Sequence, residues 1–67
     1  MNITINGEQT DVADEISVSE LLVAKEVKMP DTVTVELNGN ILDRTKFDET
    51  VVKESDAVEF LYFMGGG

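Results

Sequence analysis

Hydrophobic and polar residues alternate in two stretches of the chain, which predicts β-strands with one buried face, and a third stretch is strongly β-prone. The stretches are residues 2–6, 33–37 and 57–63. The pairs Asn6-Gly7 and Asn38-Gly39 directly follow the first two. Asn-Gly is the preferred pair for a two-residue type I′ turn, which needs positive φ at both positions. A return strand over about 8–12 and a second one at Ile41-Leu42 are therefore predicted.

Between the first hairpin and the middle strand, the hydrophobic period changes to that of a helix. Ser17 stands three residues before Glu20, which is the spacing of a capping box, and Val18, Leu21 and Leu22 follow at helical intervals. Pro30 disfavours helical geometry at the residue before it. The pattern predicts one helix over 18–27.

The rest of the chain contains shorter elements. The polar stretch 43–49 around Phe47 predicts a loop or a short helical turn, and a short strand is expected at 51–53. The order favours an α+β domain, a mixed sheet with one helix on one face, in which the helix links the hairpin to a parallel neighbour by a right-handed crossover. The predicted core contains Ile3, Ile5, Leu21, Val33, Val35, Val58 and Phe60.

Composition restricts the chemistry of this chain. Its 67 residues include no Cys and no His, and the formal net charge is −9. A domain of this size has no room for a core and a substrate cleft, and it lacks the commonest general base and the strongest common nucleophile. The negative charge repels nucleic acid and anionic membrane surfaces, and it favours a basic protein partner.

Neither a targeting segment nor a metal site is predicted. The first residues are acidic where a signal peptide needs positive charge, and the longest apolar run, 60–64, is too short to cross a bilayer. We therefore expect a cytoplasmic protein. The acidic pairs Asp14-Glu15 and Asp48-Glu49 lack the spacing of a calcium loop, so they are interpreted as solvated charge and no metal site is assigned.

Several short motifs follow one another in a characteristic order and spacing. They are Ile3–Glu8, Val18–Leu22, Val35–Gly39, Arg44, Asp56–Glu59 and the terminal glycines. In these motifs the chain resembles the ThiS family of sulfur carriers, whose more distant relatives include MoaD and ubiquitin. The resemblance implies the β-grasp fold and covers nearly the whole chain. Two departures are Ser55-Asp56, where the family usually has Gly-Asp, and three terminal glycines instead of two.

The resemblance also implies the chemistry. A ThiF-like adenylating enzyme would use ATP and Mg²⁺ to activate the carboxylate of Gly67, and a donor such as a cysteine desulfurase would supply persulfide sulfur. The product would be a thiocarboxylate that gives its sulfur to thiazole synthase. In this interpretation the chain is a protein cosubstrate with no catalytic residues and no bound cofactor. The absence of cysteine is consistent with this chemistry, because the chain end itself would hold the sulfur.

The glycine tail is the candidate reactive segment. The chain divides into a domain over 1–63 and a flexible tail over 64–67, which spans about 13 Å when extended. Glycines lack Cβ, so Gly65 and Gly66 can thread a narrow cleft. We assign the reactive end to Gly66-Gly67 and interpret Gly65 as a spacer. The alternatives are trimming of Gly67 and a tail that is merely a disordered end.

A candidate partner-binding patch lies beside the tail. Strand alternation puts Val58, Phe60 and Tyr62 towards the helix if Glu59 faces solvent, which leaves Leu61 and Phe63 on the side of Glu59. An exposed apolar patch of Leu61, Phe63 and Met64 would suit docking on the partner enzymes. The alternative is that loops or a curled sheet cover these residues.

Other functions remain open at this point. A carrier for molybdopterin synthesis or tRNA thiolation would use the same tail chemistry with another sulfur acceptor. A ubiquitin-like modifier would form an isopeptide bond to lysine. An interaction module would need no free carboxyl end.

Overall fold

The computed structural model describes residues 1–27 and 32–61. These residues form a five-stranded sheet in the order β2-β1-β5-β3-β4 and one α-helix. The strands are β1 Asn2–Ile5, β2 Glu8–Asp11, β3 Thr34–Leu37, β4 Asn40–Ile41 and β5 Ala57–Leu61, and the helix α1 is Val18–Ala24. A short 3₁₀ helix covers Arg44–Lys46.

Both predicted Asn-Gly turns are present. Asn6 and Gly7 have φ of 50° and 85°, and Asn38 and Gly39 have 52° and 85°. Each turn joins an antiparallel pair, β1 with β2 and β3 with β4. The positive φ values are those that this dipeptide tolerates best, so the local sequence determines both hairpins.

The strand that follows the helix is not the parallel neighbour of the first hairpin. β1 pairs in parallel with β5, and β3 pairs with β5 in the antiparallel sense. The prediction of a mixed sheet is therefore confirmed, but the helix leads to a strand that β5 separates from β1. Pairing between β1 and β5 connects segments more than fifty residues apart, and no local signal encodes it.

The helix begins as predicted and ends early. Ser17 accepts a hydrogen bond from the N–H of Glu20, whose side chain accepts from the N–H of Ser17 at 2.9 Å, which completes the capping box. The prediction of a helix to Val27 is wrong, because Glu26 takes the left-handed conformation at φ 55°. The N–H groups of Glu26 and Val27 then donate to the carbonyls of Val23 and Leu22, both at 3.0 Å. This is a Schellman ending with Glu in the place that glycine usually occupies.

One hydrophobic core lies between the helix and the sheet. All seven residues predicted for it are buried. Val18 and Leu22 add to the helix side, and Ile16, Phe47 and Val52 close the ends from the connecting segments. The predicted strand over 51–53 is reduced to a single bridge between Ser17 and Val51. Hydrogen bonds of Val18 to Thr50 and of Val52 to Ile16 hold that segment beside the helix start.

No helix in the described part of the chain is long and apolar enough to cross a membrane.

Asp43 caps the 3₁₀ helix and provides a test by pH. Its carboxylate accepts from the backbone N–H of Thr45 at 2.9 Å and from the Thr45 hydroxyl at 2.8 Å. The bond from the backbone N–H has the larger effect and the bond from the hydroxyl the smaller, and both lower the pKa of Asp43 from its ordinary value of 3.8. A lowered pKa in the folded state adds stability at higher pH that is lost as pH falls through the folded value. Acid should therefore weaken this turn only below pH 3.8.

An NMR titration of the Asp43 carboxyl group checks this expectation. The midpoint should lie below 3.8 in the wild type and should rise in Thr45→Ala, which removes the hydroxyl donor and keeps the backbone donor. An unchanged midpoint in Thr45→Ala would contradict the assigned contact.

Candidate functional site

The central strand β5 carries the chain towards the predicted reactive end. It lies between β1 and β3, and its last residue, Leu61, pairs with Thr34. The residues proposed from sequence for chemistry and threading, Gly65, Gly66 and Gly67, lie outside the described residues. The same holds for Phe63, Met64 and the boundary between 63 and 64. What the structure describes is the base from which this segment continues.

Two turn asparagines hold β5 at its two ends. The side-chain carbonyl of Asn6 accepts from the N–H of Phe60 at 2.9 Å, and that of Asn38 accepts from the N–H of Ala57 at 2.8 Å. The backbone of each asparagine also bonds to β5, Asn6 to Val58 and Asn38 to Ala57. Asn6 therefore extends the β1 ladder beyond the end of that strand. The Asn-Gly pairs signalled only the turns, and this second use of their side chains was missed.

Asn6 is the asparagine at the tail end, because β1 and β5 are parallel. Its side-chain oxygen accepts a hydrogen bond from the N–H of Phe60, one residue before the last described position. Phe60 itself is 8% exposed and packs into the core. The hydrogen bond fixes the backbone of Phe60 and the core fixes its side chain, close to the point where the chain leaves the sheet.

We expect Asn6→Gly to lower the free energy of unfolding by about 1 kcal/mol, because it leaves the Phe60 N–H without this acceptor. Glycine keeps the positive φ that the turn needs, so the change isolates the hydrogen bond. Urea unfolding measures the difference, and hydrogen exchange at the Phe60 amide should become faster.

Asn6→Asp is the matched control, since it keeps an acceptor oxygen and tolerates the turn geometry. It should preserve the slow exchange at Phe60. Fast exchange in both variants, or in neither, would contradict the role given to the Asn6 side chain.

The two faces of β5 differ as the alternation predicts. Val58 and Phe60 are buried, Glu59 is exposed, and Leu61 is half-buried. Leu61 is thus the one member of the predicted partner-binding patch that the described residues include. Its side chain shares a sheet face with Glu59.

Arg44 bonds to the segment that enters β3, one of the two strands paired with β5. Its Nη2 donates to the carbonyl of Val33 at 2.9 Å, and its guanidinium lies 5.7 Å from the centre of the Phe47 ring. The contacts join the 3₁₀ helix to the segment that enters β3. They place Arg44 in a structural position.

Three of the four residues in the two acidic pairs have polar partners. Asp14 lies 3.2 Å from the N-terminal ammonium group, Glu49 lies 3.7 Å from Nζ of Lys46, and Asp48 accepts a hydrogen bond from the Ser19 hydroxyl. Within residues 1–27 and 32–61, no three Asp or Glu side chains are grouped so that they could hold a metal ion.

Comparison with known proteins agrees with the fold and the order of motifs. The model of the ThiS family matches residues 3–67. The crystal structure of a thiamine biosynthesis protein (ThiS) from Geobacter metallireducens is 56% identical, with all of both chains covered and a TM-score of 0.91. An NMR structure of a thiamine biosynthesis protein from the same organism is also 56% identical, with 100% of this chain and 88% of the other covered and a TM-score of 0.82.

No curated protein matches the chain. The likeness in structure confirms the predicted β-grasp fold, a mixed sheet with one helix across a face. Because the family match covers all but the first two residues, the chain belongs to the ThiS family.

Proposed function

We propose that this protein is a sulfur carrier of thiamin biosynthesis, and that its working group is the carboxylate of Gly67. The observation that carries the proposal is the ThiS family match, which extends to residue 67 and so includes the whole glycine tail. The two similar structures from Geobacter metallireducens are of thiamine biosynthesis proteins, which supports the same pathway.

The proposed reaction has three steps. The carboxylate of Gly67 attacks the α-phosphorus of ATP, pyrophosphate leaves, and an acyl-adenylate forms. A persulfide sulfur then attacks the acyl carbon and AMP leaves as the stabilised leaving group. A thiol cleaves the resulting acyl disulfide, which releases the thiocarboxylate and a new disulfide.

Partner proteins would supply every catalytic group in this sequence. A ThiF-like enzyme would bind ATP and Mg²⁺, a cysteine desulfurase or similar donor would carry the persulfide, and thiazole synthase would accept the sulfur in the cytoplasm. The carrier would be a cosubstrate, since its sequence has neither Cys nor His to act in their place.

The carrier's own contribution would be to present its end. The central strand is paired on both sides and its amides are held by Asn6 and Asn38. A strand bonded in this way gives the following residues a defined starting point, while the glycines of 65–67 add no side chains that a narrow cleft must accommodate. Leu61 and the residues after it would contact the rim of that cleft.

Intact mass spectrometry tests the proposal. The protein is incubated with the activating enzyme of its own organism, ATP, Mg²⁺ and a persulfide donor. One oxygen should be replaced by sulfur, and fragmentation should locate the change at Gly67. A chain with alanine appended after Gly67 should form the thiocarboxylate at the added residue slowly or not at all.

Asp14→Ala and Asp48→Ala are the matched controls, because those carboxylates have no part in the reaction, and both variants should react normally. An isopeptide bond to lysine would identify a modifier instead. Sulfur transfer to a molybdopterin or tRNA acceptor would identify another pathway. Failure to form any adenylate would leave an interaction module.

A further inference from the structure

The side chain of Asn6 makes the last hydrogen bond of the parallel ladder between β1 and β5. In a regular parallel ladder, a residue donates its N–H to one residue of the neighbouring strand and accepts from the residue two positions further on. Asn6 donates its N–H to the carbonyl of Val58 at 2.9 Å. The N–H of Phe60 then donates to Oδ1 of Asn6, also at 2.9 Å. The side-chain oxygen thus takes the place of the main-chain carbonyl.

The turn explains why a side chain is needed at this position. Asn6 has a φ of 50° and Gly7 a φ of 85°, so the main chain leaves the path of β1 at Asn6 and turns back into β2. β5 continues beyond this point to Leu61. The Asn6 side chain therefore lets β1 end in a tight turn and still hold β5 at Phe60.

Asn38 makes the same arrangement at the other end of β5. Its N–H donates to the carbonyl of Ala57 at 2.7 Å, and its Oδ1 accepts from the N–H of Ala57 at 2.8 Å. Asn38 has a φ of 52°, precedes Gly39 and is exposed, as Asn6 is. The two asparagines thus share residue type, turn, exposure and kind of bond, and they differ in the end of β5 that they hold.

The bond to Phe60 determines where the ordered part of β5 ends. The chain has seven residues from Leu61 to Gly67, which span about 23 Å when extended. Ordering the backbone of one residue lowers the equilibrium constant of the step that orders it by roughly a factor of ten. A carrier that already holds Phe60 in the sheet avoids this cost when its tail enters a cleft. Without the bond, the cost falls on the threading step.

We propose that Asn6 is a positioning residue for the adenylation of Gly67. Its Oδ1 fixes the backbone of Phe60, and this fixes the base of the segment that threads into the activating enzyme. Asn6 touches no reacting atom and acts through β5. The reaction itself rests on the function proposed above. Without the bond the folded domain still docks, but the carboxylate of Gly67 reaches the α-phosphorus of ATP in a smaller fraction of the docked complexes.

Steady-state ATP–pyrophosphate exchange with Asn6→Gly tests this role, because the carrier is the substrate and its concentration can be raised to saturation. The kcat should fall about tenfold. The KM, and the Kd from titration calorimetry without ATP, should stay as in the wild type. A merely structural role gives a different pattern, since partial unfolding lowers the concentration of folded carrier, which raises the KM and leaves kcat unchanged.

Asn38→Gly is the matched control, because it removes the same kind of bond from the first residue of β5, four residues before Leu61. It should lower the unfolding midpoint, as Asn6→Gly does, and leave kcat unchanged. An equal loss of kcat in both variants would mean that general loosening of the sheet is responsible, and it would overturn the proposal.

Asn6→Asp is the rescue variant, since it keeps an acceptor oxygen and loses the amide N–H groups. It should retain the wild-type kcat. A loss as large as that in Asn6→Gly would indicate a direct contact between the Asn6 amide and the enzyme, and it would also overturn the positioning role.

NMR relaxation of the free carrier gives a readout that needs no enzyme. The order parameter of the Leu61 amide should fall in Asn6→Gly and stay unchanged in Asn38→Gly. An unchanged value in Asn6→Gly overturns the positioning role. So does a wild-type kcat in Asn6→Gly, and in that case the proposed function stands. A wild type that forms no adenylate rejects the proposed function, and the role of Asn6 in that reaction falls with it.

Discussion

Replacing Leu21 with alanine should lower the free energy of unfolding by about 3–5 kcal/mol, the range for a buried leucine that leaves a cavity. Leu21 has no exposed surface and lies in the core between α1 and the sheet. A 67-residue chain without cysteine has only a few kcal/mol of net stability. We therefore expect the variant to be largely unfolded at room temperature, with its tail attached to a chain that partner enzymes do not recognise.

Circular dichroism and urea unfolding measure the effect, and Val23→Ala is the matched control. Val23 lies two residues further along the same helix and is 79% exposed. Its truncation should change the free energy of unfolding by less than about 0.5 kcal/mol. Equal losses from the two variants would contradict the role given to the burial of Leu21, because alanine itself favours the helix at both positions.

Replacing Gly66 with valine should reduce kcat/KM for adenylation about a hundredfold or more. In the proposed reaction the tail enters a cleft that admits a bare backbone, and a branched side chain would displace the carboxylate from the α-phosphorus of ATP. Displacements of about 1 Å at a reacting centre can cost this much. The unfolding free energy should not change, because the substitution lies beyond β5.

Gly65→Val is the comparison that shows which tail position lies in the narrow part of the cleft. If Gly65 is a spacer, its replacement should have a smaller effect on kcat/KM than the replacement of Gly66. The rate is measured by ATP–pyrophosphate exchange against the wild type, so a wild type that reacts establishes the function before the variants are compared. Gly66→Val reacting at the wild-type rate would contradict the threading hypothesis.

Local chemistry made much of the fold predictable. The Asn-Gly pairs specified both hairpin turns because few other residues accept the required φ. Ser17 and Glu20 marked the helix start, since their side chains satisfy backbone N–H groups that the first turn leaves free. The alternation in β5 correctly assigned Val58 and Phe60 to the core.

The features that were mispredicted have no clear signal in the local sequence. Glu26 ends the helix in a conformation that sequence usually signals with glycine, so the periodicity suggested three more residues. The insertion of β5 between β1 and β3 requires pairing across most of the chain. The 51–53 segment has the residues of a strand, but it finds only Ser17 as a bridge partner.

The candidate site divides in the same way. Composition and resemblance pointed to the terminal glycines, which the described residues do not reach. The hydrogen bond from the Phe60 N–H to the Asn6 side chain follows from strand order and register, which the local pattern does not contain. A shift of register by one residue would have moved Glu59 to the other face.

The position of β5 in the sheet also affects how the protein is made. Among the described strands it is the last in chain order, yet it is central, and both β1 and β3 need it as a partner. A nascent chain that lacks 57–61 leaves two strand edges unpaired, and unpaired edges promote aggregation and proteolysis. Prematurely terminated chains should therefore be degraded instead of persisting as folded carriers without a reactive end. A folded carrier is therefore a chain whose translation has passed residue 61.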